Sequence, residues 1–481
     1  MAAATSVPVK NWGLFLDGQW LTEGEPFEIH SPFDRALVGK GYRATAAHAE
    51  AAVRAAQRVF EITKKMPSYE RQRILRAISE GIRTRDQDFA QLIALEAGKP
   101  IKTARAEVDR AVFTFAVAAE EATRISGEWL PLDWQASTVG RAAIVRRFPL
   151  GPIFAITPFN FPLNLVAHKL APAIAAGCTI VLKPAPQTPL SSLLLAQVIE
   201  AAGWPAGALN VLPLAIPEAE RLVGDDRLKL LTFTGSGAVG WALKQKAGKK
   251  KVLLELGGNA GVIVHSDWDA EDAARRCVEG GFSYAGQSCI SVQRIYVHRS
   301  VHQKFLAAVV AGAKKLKTGD PLEESTDVGP MISEDSARRA AAWIKEAVAA
   351  GAKIETGGKR NGSILEPTVL TNTRNEMKVS CEEVFAPIVS VDPYNDFDDA
   401  IRRVNDSRYG LQAGVFTRDA KLLFTAFEQL EVGGVIAGDV PAFRIDHMPY
   451  GGVKESGLGR EGLRYAIEEM TEPRLLALNL Q

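Results

Sequence analysis

Pro152-Ile153-Phe154-Ala155-Ile156, a helical stretch over residues 163–176, and Thr179-Ile180-Val181-Leu182-Lys183 form the strand–helix–strand unit on which the fold turns. Both strand runs are continuously apolar, as strands buried on two faces are, where a half-exposed strand would alternate. Parallel neighbours need a long crossover, and the intervening helix supplies one. The unit repeats downstream: residues 191–202 read as helix, while Ala208-Leu209-Asn210-Val211-Leu212 and Lys229-Leu230-Leu231-Thr232-Phe233 read as strands. This rhythm predicts an α/β architecture: a parallel sheet covered on both faces, as in a Rossmann-type nucleotide-binding domain.

Working outward, residues 11–45 alternate aromatic and polar positions between turn residues and read as a short hairpin followed by an extended arm. From residue 45 to about 128 the period turns helical, with Ile74, Leu75, Ile78 and Ile82 on one face. The charged Arg71-Gln72-Arg73 reads as a solvated helix face. Beyond residue 129 that period stops, and Ala142-Ala143-Ile144-Val145-Arg146-Arg147-Phe148 reads as one arm of a protruding hairpin. A second strand–helix series is expected from Val252 to about Met448, including Ala260-Gly261-Val262-Ile263-Val264, Arg294-Ile295-Tyr296-Val297 and Pro387-Ile388-Val389-Ser390-Val391. Amphipathic helices are expected over 301–317 and 334–351. The last run, Arg474-Leu475-Leu476-Ala477-Leu478-Asn479-Leu480, reads as a terminal strand whose edge another strand or subunit should cover.

A chain of 481 residues exceeds one hydrophobic core, so two or three domains are expected. Its 57 basic and 56 acidic residues balance, which predicts no general attraction for nucleic acid or an anionic membrane. No apolar run reaches the roughly 20 residues a membrane span needs. The opening Met1-Ala2-Ala3-Ala4-Thr5-Ser6-Val7-Pro8 lacks the basic head and apolar run of a secretory signal. Cys178, Cys277, Cys289 and Cys381 show neither CxxC spacing nor a histidine pattern, so no metal site and a reducing, cytoplasmic setting are expected.

Two residues invite chemistry. Leu253-Leu254-Glu255-Leu256-Gly257-Gly258-Asn259 carries a carboxylate, and Tyr284-Ala285-Gly286-Gln287-Ser288-Cys289 ends on a thiol 34 positions later. A thiolate is a strong nucleophile and a carboxylate can activate water. Taken alone, the pair leaves open a covalent mechanism or an ordinary buried cysteine and surface glutamate.

Seven segments in order carry a family resemblance: Thr157-Pro158-Phe159-Asn160-Phe161-Pro162, Leu182-Lys183-Pro184, Phe233-Thr234-Gly235-Ser236, Leu254-Glu255-Leu256-Gly257-Gly258, Gly286-Gln287-Ser288-Cys289, Glu382-Glu383-Val384-Phe385 and Pro449-Tyr450-Gly451-Gly452-Val453-Lys454-Glu455-Ser456-Gly457. Together they resemble the aldehyde dehydrogenase superfamily over nearly the whole chain, and the loop at 438–449 is similar to that of lactaldehyde-dehydrogenase-like members. The resemblance implies an aldehyde dehydrogenase-like fold. Its parts would be a Rossmann-type cofactor domain (1–124 and 147–254), an α/β catalytic domain (255–449) and a small β oligomerisation domain (125–146 and 466–481). It implies an enzyme that is a homodimer or homotetramer and takes NAD or NADP and a small-molecule aldehyde.

By the same resemblance Cys289 is the nucleophile, and the side chain of Asn160 and the backbone N–H of Cys289 hold the oxyanion. The adduct gives up hydride to the nicotinamide, and Glu255 activates the water that clears the thioester. Thr157, Pro158, Lys183, Gly235, Ser236, Val239, Gly240, Leu256, Glu383 and Phe385 match cofactor-binding positions. Phe159, Ser288, Ile290 and Arg444 match the substrate tunnel, where Arg444 would bind an acidic or hydroxylated tail or else brace its loop. Ser288 adds no positive charge, which argues against a phosphate or phosphonate substrate. His447 reads as structural, and Cys178, Cys277 and Cys381 as packing residues.

Three departures touch cofactor fit. Pro186 stands where NAD-preferring members carry a glutamate, which leaves NADP open. Ala386 follows Phe385 where glycine is frequent, and Leu214-Ala215-Ile216 fills a normally glycine-rich turn. The expected reaction is oxidation of a short hydroxylated aldehyde such as lactaldehyde. The alternatives are a CoA-acylating semialdehyde dehydrogenase, which Glu255 argues against, and a catalytically silent crystallin-like member.

Overall fold

The structure is a computed structural model that describes residues 10–480; the amino-terminal segment read as lacking a secretory signal lies outside them. Five parallel strands form the middle of an eight-stranded first sheet, in the order Lys251–Glu255, Leu230–Thr234, Ile153–Ile156, Ile180–Lys183 and Leu209–Val211. Ile153, Phe154, Ala155, Val181 and Leu182 are wholly buried because helices cover both faces. Burying each large apolar side chain contributes roughly 1.5–3 kcal/mol, so alternation would waste half the strand. One covering helix, Asn164–Ala176, is buried at every residue and ends where Gly177 takes φ of 83°.

The parallel sheet expected from the sequence forms the middle, and antiparallel strands extend its rims. Leu14–Leu16 and Gln19–Leu21 add to one side and Gly457–Leu458 to the other, all antiparallel. The first two are the expected hairpin. Its two-residue turn, Asp17-Gly18, has φ of 52° and 75°, and positive φ at both central residues matches the twist of a tight hairpin. One correction concerns Val252. It lies in Lys251–Glu255, which pairs in register with Leu230–Thr234, so the second series starts later, at Gly261–Val264. Periodicity identifies a buried strand but carries no information about which sheet accepts it.

The second sheet has seven strands in the order Lys353–Thr356, Thr368–Thr371, Ile388–Tyr394, Arg294–His298, Gly261–Val264, Gln412–Phe416 and Gly434–Ala437. All its pairings are parallel except that of Lys353–Thr356 with its neighbour. A third, antiparallel sheet joins Glu128–Pro131, Arg141–Pro149 and Thr471–Asn479, with Thr471 opposite Pro149 and Asn479 opposite Arg141. The terminal strand is thus covered on one edge by its own chain. Thr157, Lys183, Gly235 and Glu255 all sit at the carboxyl ends of first-sheet strands, where ligands of open α/β sheets bind. Among the described residues, no helix is long and apolar enough to cross a membrane.

Candidate active site

A cavity of about 330 Å³ lies at those strand ends. Its walls bring together Cys289, Glu255 and Asn160 with Pro158, Phe159, Gly235, Ser236, Leu256, Glu383 and Phe385. Of the other residues singled out from the sequence, Thr157, Lys183, Val239, Gly240, Ser288, Ile290 and Arg444 lie outside these walls. Ser288 lines a much smaller hollow with Glu383 and Phe385, and Ile290 packs with Leu411, Tyr450 and Cys289.

Cys289 is delivered by a strained turn. Helix Ala270–Phe282 runs into Ser283–Gly286, where Tyr284, Ala285 and Gly286 take φ of 50°, 53° and 67° in succession. Left-handed backbone at two non-glycine residues costs energy and persists only where contacts enforce it. Here the Tyr284 hydroxyl donates to Ala97 O (2.9 Å), and the Ile332 N–H donates to Gln287 Oε1 (2.8 Å). Glycine is required at 286, because a Cβ there would stand 2.2 Å from Ala386 O. Asn160, buried beside the turn, donates from Nδ2 to Gln287 O at 3.1 Å. An amide nitrogen has two hydrogens, and the second has no protein acceptor among the described residues.

Around the thiol the groups oppose one another. Cys289 is raised to about 11 on balance: burial pushes it up most, the Tyr450 hydroxyl, 2.9 Å from Sγ, and the Arg444 guanidinium pull it down, and Glu383 and Glu255 push it up. Glu255 is buried and its Oε2 has no hydrogen-bond partner. Burial, then Glu461, raises its carboxyl well above the ordinary range against the pull of Arg444, Lys169 and Arg460. Glu461 behaves oppositely. Burial pushes it up, but Lys169 (3.2 Å), His168 and Arg444 (3.1 Å) overcome that and hold it ionised.

Arg444 stands in this buried network behind the thiol. Its guanidinium stacks 3.6 Å over the Tyr450 ring, and its buried Nε has no partner. His168 Nε2 is 2.8 Å from Asp446, so it carries the proton donated there, and its 3.4 Å approach to Arg444 is not a hydrogen bond. Asp446 also receives Arg110 at 2.7 Å. Tyr450, Glu461, Lys169 and His168 escaped the sequence reading. Tyr450 lies inside a quoted segment but looks there like a spacer, and His168 and Lys169 fall in the helical stretch 163–176, where they look like ordinary helix-face residues. Arg339, also on the cavity wall, sits on an amphipathic helix with no signal to distinguish it. Cys178 and Cys277 are buried as expected; Cys381 is half-exposed, because its four-residue helix lies near the surface.

The remaining groove fits a dinucleotide. A Cβ on Gly257 would meet the Glu383 carboxylate at 2.3 Å, and one on Gly240 would meet Leu256 at 2.4 Å. Ser236 begins helix Gly237–Lys246 without spending its side chain on the cap, leaving it and the helix N–H groups for an anion. Val239, in that first turn, is about half-exposed. The buried hydroxyls of Thr157 and Thr234 lack partners. Glu383, raised to about 7 by burial, accepts from Gly258 N at 3.1 Å. Phe385, with φ of 49°, meets Phe159 edge-on at 5.9 Å.

Comparison with known proteins identifies the family. The model of the aldehyde dehydrogenase family matches residues 20–476. A 3-sulfolactaldehyde dehydrogenase of Priestia aryabhattai is 46% identical, over 98% of this chain and 99% of that one. The crystal structure of aldehyde dehydrogenase 21 from Physcomitrella patens, in complex with the reaction product succinate, superposes with a TM-score of 0.97 at 45% identity, covering 98% of this chain and 99% of that one. A glyceraldehyde-3-phosphate dehydrogenase of Methanocaldococcus jannaschii complexed with NADP has a TM-score of 0.90 at 38% identity, with 94% and 99% covered.

Proposed function

This chain belongs to the aldehyde dehydrogenase family and is an NAD(P)-dependent aldehyde dehydrogenase; from that premise we propose that it oxidises a short hydroxylated aldehyde of the lactaldehyde type, bearing an acidic group, to the carboxylate. The Cys289 thiolate attacks the carbonyl carbon and forms a carbon–sulfur bond. The free N–H of Asn160 and the backbone N–H of Cys289 receive the new oxyanion; a preplaced donor of this kind stabilises the transition state by roughly 2.7–4 kcal/mol. The adduct's C–H bond breaks as its C=O bond reforms and a thioester is left; a dinucleotide held by Ser236, Lys183 and Glu383 would be the acceptor of that hydride. Glu255 then takes a proton from water, whose oxygen attacks the thioester and releases Cys289. Its raised affinity for protons suits it to that task.

The observation that carries the acidic group is Arg444: a buried guanidinium, unsatisfied at Nε, beside the tyrosine that touches the nucleophile. The similar proteins support it, since the Priestia relative is named for a sulfonated hydroxyaldehyde and the moss structure holds a dicarboxylate. Supplying lactaldehyde, 3-sulfolactaldehyde and succinate semialdehyde with either cofactor tests the reading. We expect acid product without coenzyme A, the highest kcat/KM on an acidic aldehyde, and loss of that preference in Arg444→Met. A preference for uncharged lactaldehyde would refute the acidic group, and a requirement for coenzyme A would favour the acylating alternative. Cys289→Ala should bind dinucleotide yet turn over nothing, whereas a silent protein would be inactive to begin with. A homodimer or homotetramer in the cytoplasm completes the proposal.

A further inference from the structure

The hydroxyl of Tyr450 is the hydrogen-bond partner of the Cys289 sulfur among the described residues, and it has no other partner itself. Which atom donates depends on the thiol's state. A neutral thiol is a weak donor and weak acceptor, so little distinguishes the two arrangements. A thiolate can only accept. The O–H bond to it is then charge-assisted and about twice as strong. The contact therefore favours the ionised sulfur over the neutral one. Burial keeps the phenol in its neutral, donating form, with Cys289 and Glu255 opposing its ionisation and Arg444 favouring it.

The tyrosine is held for this task. Its backbone exchanges hydrogen bonds with Glu461 (3.0 and 2.6 Å), and the Glu461 carboxylate binds Arg444, which lies over the Tyr450 ring. A cation on the ring face draws electron density from the ring and strengthens the O–H as a donor. Burial opposes the thiolate so strongly that the thiol stays raised even with both groups in place, so each group that favours the ionised sulfur counts.

We propose that Tyr450 is a further catalytic residue, whose hydroxyl donates to the Cys289 thiolate and keeps it ionised under the cation of Arg444. When the thiol ionises, its proton leaves to solvent while the phenol keeps its own. The inference rests on Cys289 being the nucleophile. Four charged or titratable groups act on the sulfur: Tyr450 and Arg444 favour ionisation, and Glu383 and Glu255 oppose it.

Tyr450→Phe keeps the ring and its stack and removes only the donor. The full-length enzyme with NADP bound is alkylated by iodoacetamide across neutral to strongly alkaline pH, with the modified peptide mapped and residual turnover followed. We expect label on Cys289, and a midpoint about one unit higher in the variant, a tenfold loss of thiolate below it. kcat/KM should fall about tenfold at neutral pH and recover in alkali, with the cofactor KM within about twofold. Replacing Tyr450 by 3-fluorotyrosine, a stronger donor, should move the midpoint down. Label on Cys289 with midpoints unmoved in both variants would overturn the inference, leaving Tyr450 a packing residue. Turnover surviving in Cys289→Ala would instead remove the nucleophile on which it rests.

Discussion

On the proposed mechanism Glu255 must be charged to act, yet burial and the neighbouring Glu461 both favour its proton. The base is the carboxylate, so thioester hydrolysis should rise with pH, with a midpoint above the range of an ordinary exposed carboxyl. Glu255→Gln should preserve a burst of reduced cofactor, slow the steady state by about 10²–10⁴-fold, and abolish that pH limb. Rapid-mixing absorbance measurements separate burst from steady state, and unchanged steady turnover would take Glu255 out of the reaction. At the far end of the groove, Lys183 is driven toward neutrality by burial and by Arg43. The chain brings Arg43 near: Ala44 bridges to Leu214, three residues beyond strand Leu209–Val211, which pairs with that of Lys183. Lys183 has no acidic partner among the described residues, and Pro186 supplies no carboxylate. A 2′-phosphate answers this cationic end, so NADP should have the higher kcat/KM. Pro186→Glu should raise the NADP KM about tenfold and leave NAD nearly unchanged, from one added like charge in partial screening. Equal effects on the two cofactors would show that position 186 does not face the ribose.

Secondary elements deliver these residues through a buried ion pair. The Glu107 carboxylate accepts the backbone N–H groups of Leu163 (2.9 Å) and Asn164 (3.1 Å) at the start of helix Asn164–Ala176, just after Asn160. Its other oxygen takes Lys99, whose ammonium faces the rings of Phe161 (3.7 Å) and Tyr284 (4.5 Å). One cation therefore ties the Asn160 loop to the turn that carries Cys289. Glu107→Gln should destabilise the fold by about 3–5 kcal/mol, because Lys99 stays buried without its counter-charge. The double variant Lys99→Met with Glu107→Gln should recover most of that in urea unfolding, since neither charge remains. If both variants unfold alike, the pair is not the source of the stability. The sequence made the parallel strands legible because their apolar runs follow from burial on two faces, and it marked Cys289, Glu255 and Asn160 through motifs in a fixed order. It could not show Glu107, a helical glutamate like many others, or the sheet to which Lys251–Glu255 belongs. Both depend on partners far away in the chain. Lys99 lies 185 positions from Tyr284, and only the folded cavity places them in contact.

At the scale of the molecule, two of the open sheet edges lie beside exposed apolar side chains. Thr471–Asn479 pairs on one side only, and Leu475 and Leu476 are each 58% exposed. Gly434–Ala437 closes the second sheet beside helix Ala420–Gln429, which exposes Phe424 and Phe427. An open strand edge with apolar side chains recruits other chains unless it is blunted; Glu472, Pro473 and Arg474 blunt the start of the terminal strand, but the run from Leu475 to Leu478 has no such residue. A stable interface removes roughly 800 Å² from each partner, which calls for a continuous surface such as a strand edge and not for scattered side chains. Leu475→Asp with Leu476→Asp places two charges in such an interface and none in the core. Light scattering should then show the wild type as a dimer or tetramer and the variant as a smaller species with unchanged circular dichroism. Where that smaller species is the monomer, its thermal unfolding should also become independent of protein concentration, because dissociation no longer contributes to it. A wild type that is already monomeric, or a variant of undiminished mass, would mean that the third sheet is complete within one chain and its exposed leucines serve no assembly.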